Sequence, residues 1–308
     1  MKRAGRIWTL VGALAWLGYF ALTVSLPSVE FLPEQLSLAL QGLSIILGMS
    51  LLFMVILVGE SADWPAWSRY LMFAGGVGSI LLPVLLADNS LPLRAFSTLG
   101  LILISLPVGY WVGDRMEKVT NLVPLAVAMA FADIFSVFQG PSKRIVEGMQ
   151  EHQQQVAEAM AEAAKSVPPE QAASAAAAAA EAVRVPWINY LFVHLPLPIG
   201  DAAPVMGVGD FVILAFLFRA AWVHGLNRRV MFWSTLAMAI IALAASLIFS
   251  LALPALVSIA FGTLIVLWFT EPRMRAIDRQ EILLSFAVAG LFMALMAAKW
   301  FTAAARVQ

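Results

Sequence analysis

The chain contains no cysteine in 308 residues. Disulfides, thiolate metal sites and a cysteine nucleophile are therefore excluded. Histidine is almost as scarce: His152, His194 and His224 are widely spaced and form no ligand motif. No zinc site, and no other metal or cofactor, is expected. Charge is sparse as well, with 12% of residues Asp, Glu, Lys or Arg, where a soluble domain carries about 25%. The formal net charge is +0, which leaves no case for a nucleic-acid partner. What is abundant is apolar: 61% of residues are hydrophobic, and the mean hydropathy is +0.87. Such a chain cannot hide its apolar surface in one aqueous core. It reads as an all-α polytopic membrane protein whose main partner is the lipid bilayer.

A spanning helix needs about 20 apolar residues. Nine stretches qualify, near 7–26, 36–58, 70–87, 91–113, 119–138, 204–224, 230–249, 254–270 and 281–303. The first follows Lys2, Arg3 and Arg6, but it is long for a signal peptide and closes on no small-x-small cleavage site, so it reads as a retained helix. Tryptophans near most segment ends, among them Trp64, Trp67, Trp111, Trp222 and Trp268, suggest an interfacial belt. Lys and Arg in the short loops concentrate on the side of the N-terminus, which places that end in the cytoplasm.

The organisation that follows is a four-helix N-terminal part (1–118), a helix carrying Asp133 (119–138), a long extramembrane connection (139–203), a part running from the Asp210 helix to a Pro-Ala-Leu helix (204–270), and one further helix (271–308). The connection lies on the outer side in this orientation. It begins as an amphipathic surface helix and continues as an alanine-rich stretch that reads as a mobile helical linker. It ends in "VPWINYLFVHLPLP", whose prolines argue against a span and allow a short extended segment.

Two acids sit well inside the expected spans, Asp133 and Asp210. A charged Asp at mid-helix costs about 2.5–3.5 kcal/mol on insertion scales, so it normally faces a partner or a wet cavity. Asp133 lies six residues before the connection and Asp210 six residues after Pro204. On two antiparallel helices, both carboxylates then lie about 9 Å below the same membrane face. Gly207 and Gly209 beside Asp210 favour close backbone approach. Two neighbouring carboxylates in a low-dielectric site share one proton. One can then take a proton from water while the other polarises a scissile carbonyl.

These residues resemble a known family. "ADIFSVFQGPSKRIVE" (132–147) is similar to the first catalytic motif of presenilin and its relatives. "GVGDFVI" (207–213) resembles the Gly-x-Gly-Asp motif of presenilin and signal peptide peptidase, and "LPALVSIAFGTLIVLW" (253–268) the Pro-Ala-Leu signature. The three occur in the family's order. The resemblance covers residues 120–147 and 204–270. It implies a presenilin-like bundle of about nine helices and an intramembrane aspartyl endopeptidase of prokaryotic type. Transmembrane helices or signal-peptide remnants would be its substrates. Asp133 and Asp210 would be catalytic, Gly207 and Gly209 would shape the site, and Pro254, Ala255 and Leu256 would line the cleft. Asn189, Tyr190, Leu191 and Phe192 lie in a candidate segment for pairing with an unwound substrate. The alternative for that segment is an interfacial anchor. Ala132 replaces the family's Tyr, which removes one contact beside the carboxylate, and four spans rather than five precede Asp133.

Other classes fit less well. A prepilin peptidase would show a different setting for its first aspartate, a rhomboid-like protease would use a Gly-x-Ser helix and a distant His, and the His-Glu-x-x-His of a metalloprotease is absent. The rivals that stay open are a proton- or cation-coupled transporter or channel using the Asp133–Asp210 pair and a catalytically inactive relative. Arg219 reads as a residue that snorkels or pairs near the inner end of its helix.

Overall fold

A computed structural model of the chain describes residues 2–25, 33–86, 90–139, 151, 154–163, 165, 168, 171, 174–175, 178, 190–198, 201–249 and 255–304. The described helices are α1 (Lys2–Ser25), α2 (Glu34–Ser61), α3 (Ala66–Leu86), α4 (Leu91–Gly113), α5 (Leu122–Gln139), α6 (Val208–Val223), α7 (Arg228–Phe249), α8 (Ala255–Thr270) and α9 (Arg279–Ala304). Between α5 and α6 stand two strands, β1 (Phe192–Leu197) and β2 (Asp201–Gly207). Residues 154–163 of the long connection are helical. Most of its surface-helix and alanine-rich parts lie outside the described residues.

The expected bundle of nine membrane-spanning helices is corrected. Among the described residues, five helical segments are long and apolar enough to cross a membrane: Gly5–Ser25, Gln35–Ser61, Ala66–Leu86, Leu91–Gly113 and Arg228–Ser246. The helices around the aspartates are short, with 18 residues in α5, 16 in α6 and 16 in α8. At 1.5 Å per residue they reach about 24–27 Å, short of a ~30 Å hydrocarbon core. The sequence around Pro204, read as the start of a span, is instead strand β2. The ninth expected span, α9, opens on a polar lock: Glu281 is buried and accepts from Thr120 Oγ1 at 2.5 Å and from the Asp278 amide at 2.9 Å.

α6 is the hub. From Phe211 to Ala221 all but one of its residues are buried, and it packs against α2, α4 and α7. The Phe211 ring meets Phe53 of α2 edge-on, with centroids 6.2 Å apart. α1 lies against α2 and α3 against α4, while α8 bridges α5 and α7. The α3–α4 crossing is close because it is built on glycine: a Cβ on Gly76 would stand 2.6 Å from the Gly100 carbonyl oxygen. α6 ends where Gly225 adopts φ +62°, which lets the Leu226 amide reach back to the Ala221 carbonyl at 2.8 Å.

The strands form an antiparallel hairpin wedged among α1, α2 and α4. Its register pairs Phe192 with Gly207 and Val193 with Met206, then slips so that His194 faces Pro204. Val205 is the extra residue of that bulge, and Pro204, which has no amide to donate, sits beside it. Helix side chains hold the hairpin. Thr98 Oγ1 accepts from the His194 amide at 3.0 Å, Ser44 Oγ donates to the Pro196 carbonyl at 2.8 Å, and Arg94 Nη1 donates to the Ala202 carbonyl at 3.1 Å.

Candidate functional site

Asp210 stands in the first turn of α6, three residues after its N-cap Gly207. The first amides of a helix have no partner within it, and together they favour a negative charge. Asp210 uses one of them: its Oδ2 accepts from the Gly207 amide at 3.0 Å. Gly207 is also the last residue of β2, so strand and helix join with no loop between them. The expected position six residues into a spanning helix is thereby corrected to the third residue of a helix fed directly by a strand.

Asp133 projects from the C-terminal half of α5 and follows the same physical rule on a different helix. Its Oδ2 accepts from the Leu256 amide at 3.1 Å, in the first turn of α8. A backbone donor from the first turn of α8 therefore holds the first aspartate. α5 touches α6, and the Asp133 carboxylate lies near enough to act on Asp210 electrostatically.

The remaining expected site residues divide. Leu256 is 6% exposed, while Ala255 opens α8 and Pro254 lies outside the described residues. A Cβ on Gly207 would meet only Asp210 Oδ2 at 3.8 Å, and one on Gly209 would meet nothing within 4 Å. Neither glycine is therefore needed for helix packing among the described residues. Among the described residues, a side chain at either position would meet little or nothing beyond Asp210 itself.

Of the candidate pairing segment, Asn189 lies outside the described residues, Tyr190 and Leu191 form a single tight turn, and Phe192 begins β1. Its partner is already present in the chain as β2, with Phe192 paired to Gly207. Tyr190, Val193 and Leu195 are 3%, 1% and 0% exposed, so this strand is an inner one and the outer strand of the hairpin is β2.

A second polar cluster was foreseen only in part: Arg219 was expected to snorkel or pair near the end of its helix, and it pairs, but its partners were not named. Where α2, α4 and α6 meet, Arg219 pairs with Asp114, and Glu60 is completely buried. Depth could have revealed it. Glu60 and Asp114 each lie just past an expected span that ends on the inner side, and Arg219 approaches that same face from α6. Among the described residues, no group of three or more His, Cys, Asp or Glu could hold a metal ion.

No protein-family model matches the chain, and no curated protein or solved structure is similar to it.

Proposed function

We propose that the chain is an intramembrane aspartyl endopeptidase that uses Asp133 and Asp210 as a proton-sharing pair. The observation that carries the reading is the meeting of three separated motifs: Asp133 on α5 is bonded to the Leu256 amide of α8 and within electrostatic reach of Asp210 on α6. The five long apolar helices support a bilayer setting. The unoccupied flank of Gly207 and Gly209 supports access for a substrate backbone.

In this mechanism the ionised aspartate takes a proton from water, and the water oxygen bonds to the scissile carbonyl carbon. The proton of the other aspartate passes to the carbonyl oxygen. The tetrahedral intermediate then collapses and the C–N bond breaks: the leaving nitrogen takes the proton that the first aspartate received from water, and a hydroxyl of the intermediate returns a proton to the second. Substrates are single transmembrane helices or signal-peptide remnants, unwound locally so that an amide becomes accessible. The distribution of Lys and Arg supports a cytoplasmic N-terminus and an active-site loop on the outer side of a prokaryotic cell membrane.

The test is cleavage of a single-span substrate by purified protein, compared with Asp133→Asn and Asp210→Asn. Either substitution is expected to abolish cleavage, and an aspartic transition-state inhibitor to block the wild type. Failure of well-folded wild type to cleave any of several helical substrates would overturn the proposal. Proton or cation flux lost in both variants would replace it with a transporter.

A further inference from the structure

Arg219 lies nine residues beyond Asp210 on the same helix, about 13 Å along its axis. It is 9% exposed, and its guanidinium reaches two other helices. Nε donates to Asp114 Oδ1 at 2.6 Å and Nη2 pairs with the same oxygen at 2.5 Å, just beyond the end of α4. Nη1 donates to the Glu60 carbonyl at 2.8 Å, satisfying one of the last carbonyls of α2. The guanidinium also lies 3.7 Å from the centroid of the Tyr110 ring, and that of Arg69 lies 4.2 Å from the same ring. α4 is shaped for the contact: a Cβ on Gly113 would stand 2.6 Å from Arg219 Cγ.

The rest of the buried face of α6 is apolar, running through Phe211, Leu214, Ala215, Phe216 and Phe218. Apolar contacts are non-directional and do not by themselves fix a helix along its axis. At the other end, the bond from the Gly207 amide to Asp210 lies within the strand-to-helix junction, and α6 is tied to α2 and α4 there only through the hairpin, by Ser44, Arg94 and Thr98. Charge-assisted bonds from a rigid guanidinium fork to two helices do fix it, in translation and in rotation.

We infer that Arg219 is a positioning residue, a latch that sets the seat of α6 against α2 and α4 and thereby the place of Asp210 beside Asp133. Its catalytic consequence rests on the proposed protease activity; the latch itself does not. Because the chain has no cysteine, spin labels can be attached at Ala132→Cys on α5 and Gly209→Cys on α6 without removing other thiols. Pulsed dipolar spectroscopy then reads the distance between the helices that carry the two aspartates. Arg219→Met is expected to broaden or shift that distribution. Arg219→Lys keeps a charge for Asp114 but loses the fork, and is expected to fall between Met and wild type.

In the unlabelled chain Arg219→Met is expected to lower kcat by roughly a hundredfold, the scale of a 1 Å misplacement of a reacting group. KM is expected to stay unchanged and Lys to restore part of kcat. If Arg219→Met does not fold, the Lys variant decides. An unchanged distance distribution in folded protein overturns the latch, and a displaced α6 with full kcat overturns its role in catalysis. If wild type cleaves nothing, the protease reading fails while the distances still decide whether the latch exists.

Discussion

Gly109→Ala tests how tightly α4 and α6 are apposed beneath the candidate site. A Cβ at this position would overlap Glu60 Oε1 and stand 2.9 Å from the carbonyl carbon of Ala215 in α6. Ordinary contact begins at 3.4 Å, so the helices must separate by the difference, 3.4 − 2.9 = 0.5 Å, or more. Backbone cannot swing aside as a side chain can, and gaps of about 0.5–1 Å forfeit a quarter to a half of the dispersion energy where they open. Overpacking of this kind costs about 1–3 kcal/mol, and the better helix propensity of alanine returns about 1 kcal/mol. A net loss of up to about 2 kcal/mol is expected, read from reversible unfolding in detergent micelles. Two controls bracket it. Gly78→Ala in α3 faces open space and reports propensity alone. Gly262→Ala in α8 also meets no free space, but its nearest neighbour is the flexible thioether of Met238, which can move, so it is expected to lie close to the Gly78 variant. Gly109→Ala unfolding with the same stability as Gly78→Ala would refute the reasoning.

Two further substitutions probe the polar contacts. Leu256→Pro deletes the amide that donates to Asp133 in the first turn of α8, where proline is tolerated. A bond to a charged group is worth about 1.5–3 kcal/mol, so cleavage is expected to fall at least tenfold below that of Leu256→Ala, which also loses the buried side chain but keeps the amide; equal cleavage by the two variants would show that this bond is idle. Glu60→Met replaces a fully buried carboxyl whose oxygens have no hydrogen-bond partner among the described residues. Because the Arg219 bond goes to the Glu60 backbone, it survives. Stability is expected to rise by about 1–3 kcal/mol, and a lowered melting temperature would contradict this.

Part of the site was legible, because Asp133, Asp210 and "LPAL" stand out in apolar runs. The offset of Asp210 was counted along a helix from Pro204 that is instead strand β2, and a bond from the first turn of α8 to Asp133 was not expected. What joins that turn to Asp133 is a backbone amide, and any residue but proline carries one, so no residue type announces it. The hairpin was half legible. The prolines and aromatics of 186–198 suggested extension, but "DAAPVMG" is a short apolar run that periodicity alone cannot assign to strand or helix. That ambiguity also lengthened the expected α6 and helped produce the overestimate of spans. The partners of Arg219 were missed because Glu60 and Asp114 fall one or two residues outside apolar segments, where acids usually face water.

The shared residue Gly207 has a mechanical meaning. A loop between a strand and a helix would absorb movement, and here there is none. Strand registers change in discrete steps, because each side chain must keep its face, and two residues are about 6.7 Å of travel. The hairpin therefore cannot slip without carrying Asp210 away from Asp133, and the bulge at Val205 hinders such a slip. The carboxylate pair is indexed at both ends of α6, by a strand that moves only in whole steps and by a guanidinium fork that fits one seat. A force on the outer strand would reach the Asp210 carboxylate as a displacement rather than dissipate in a flexible turn.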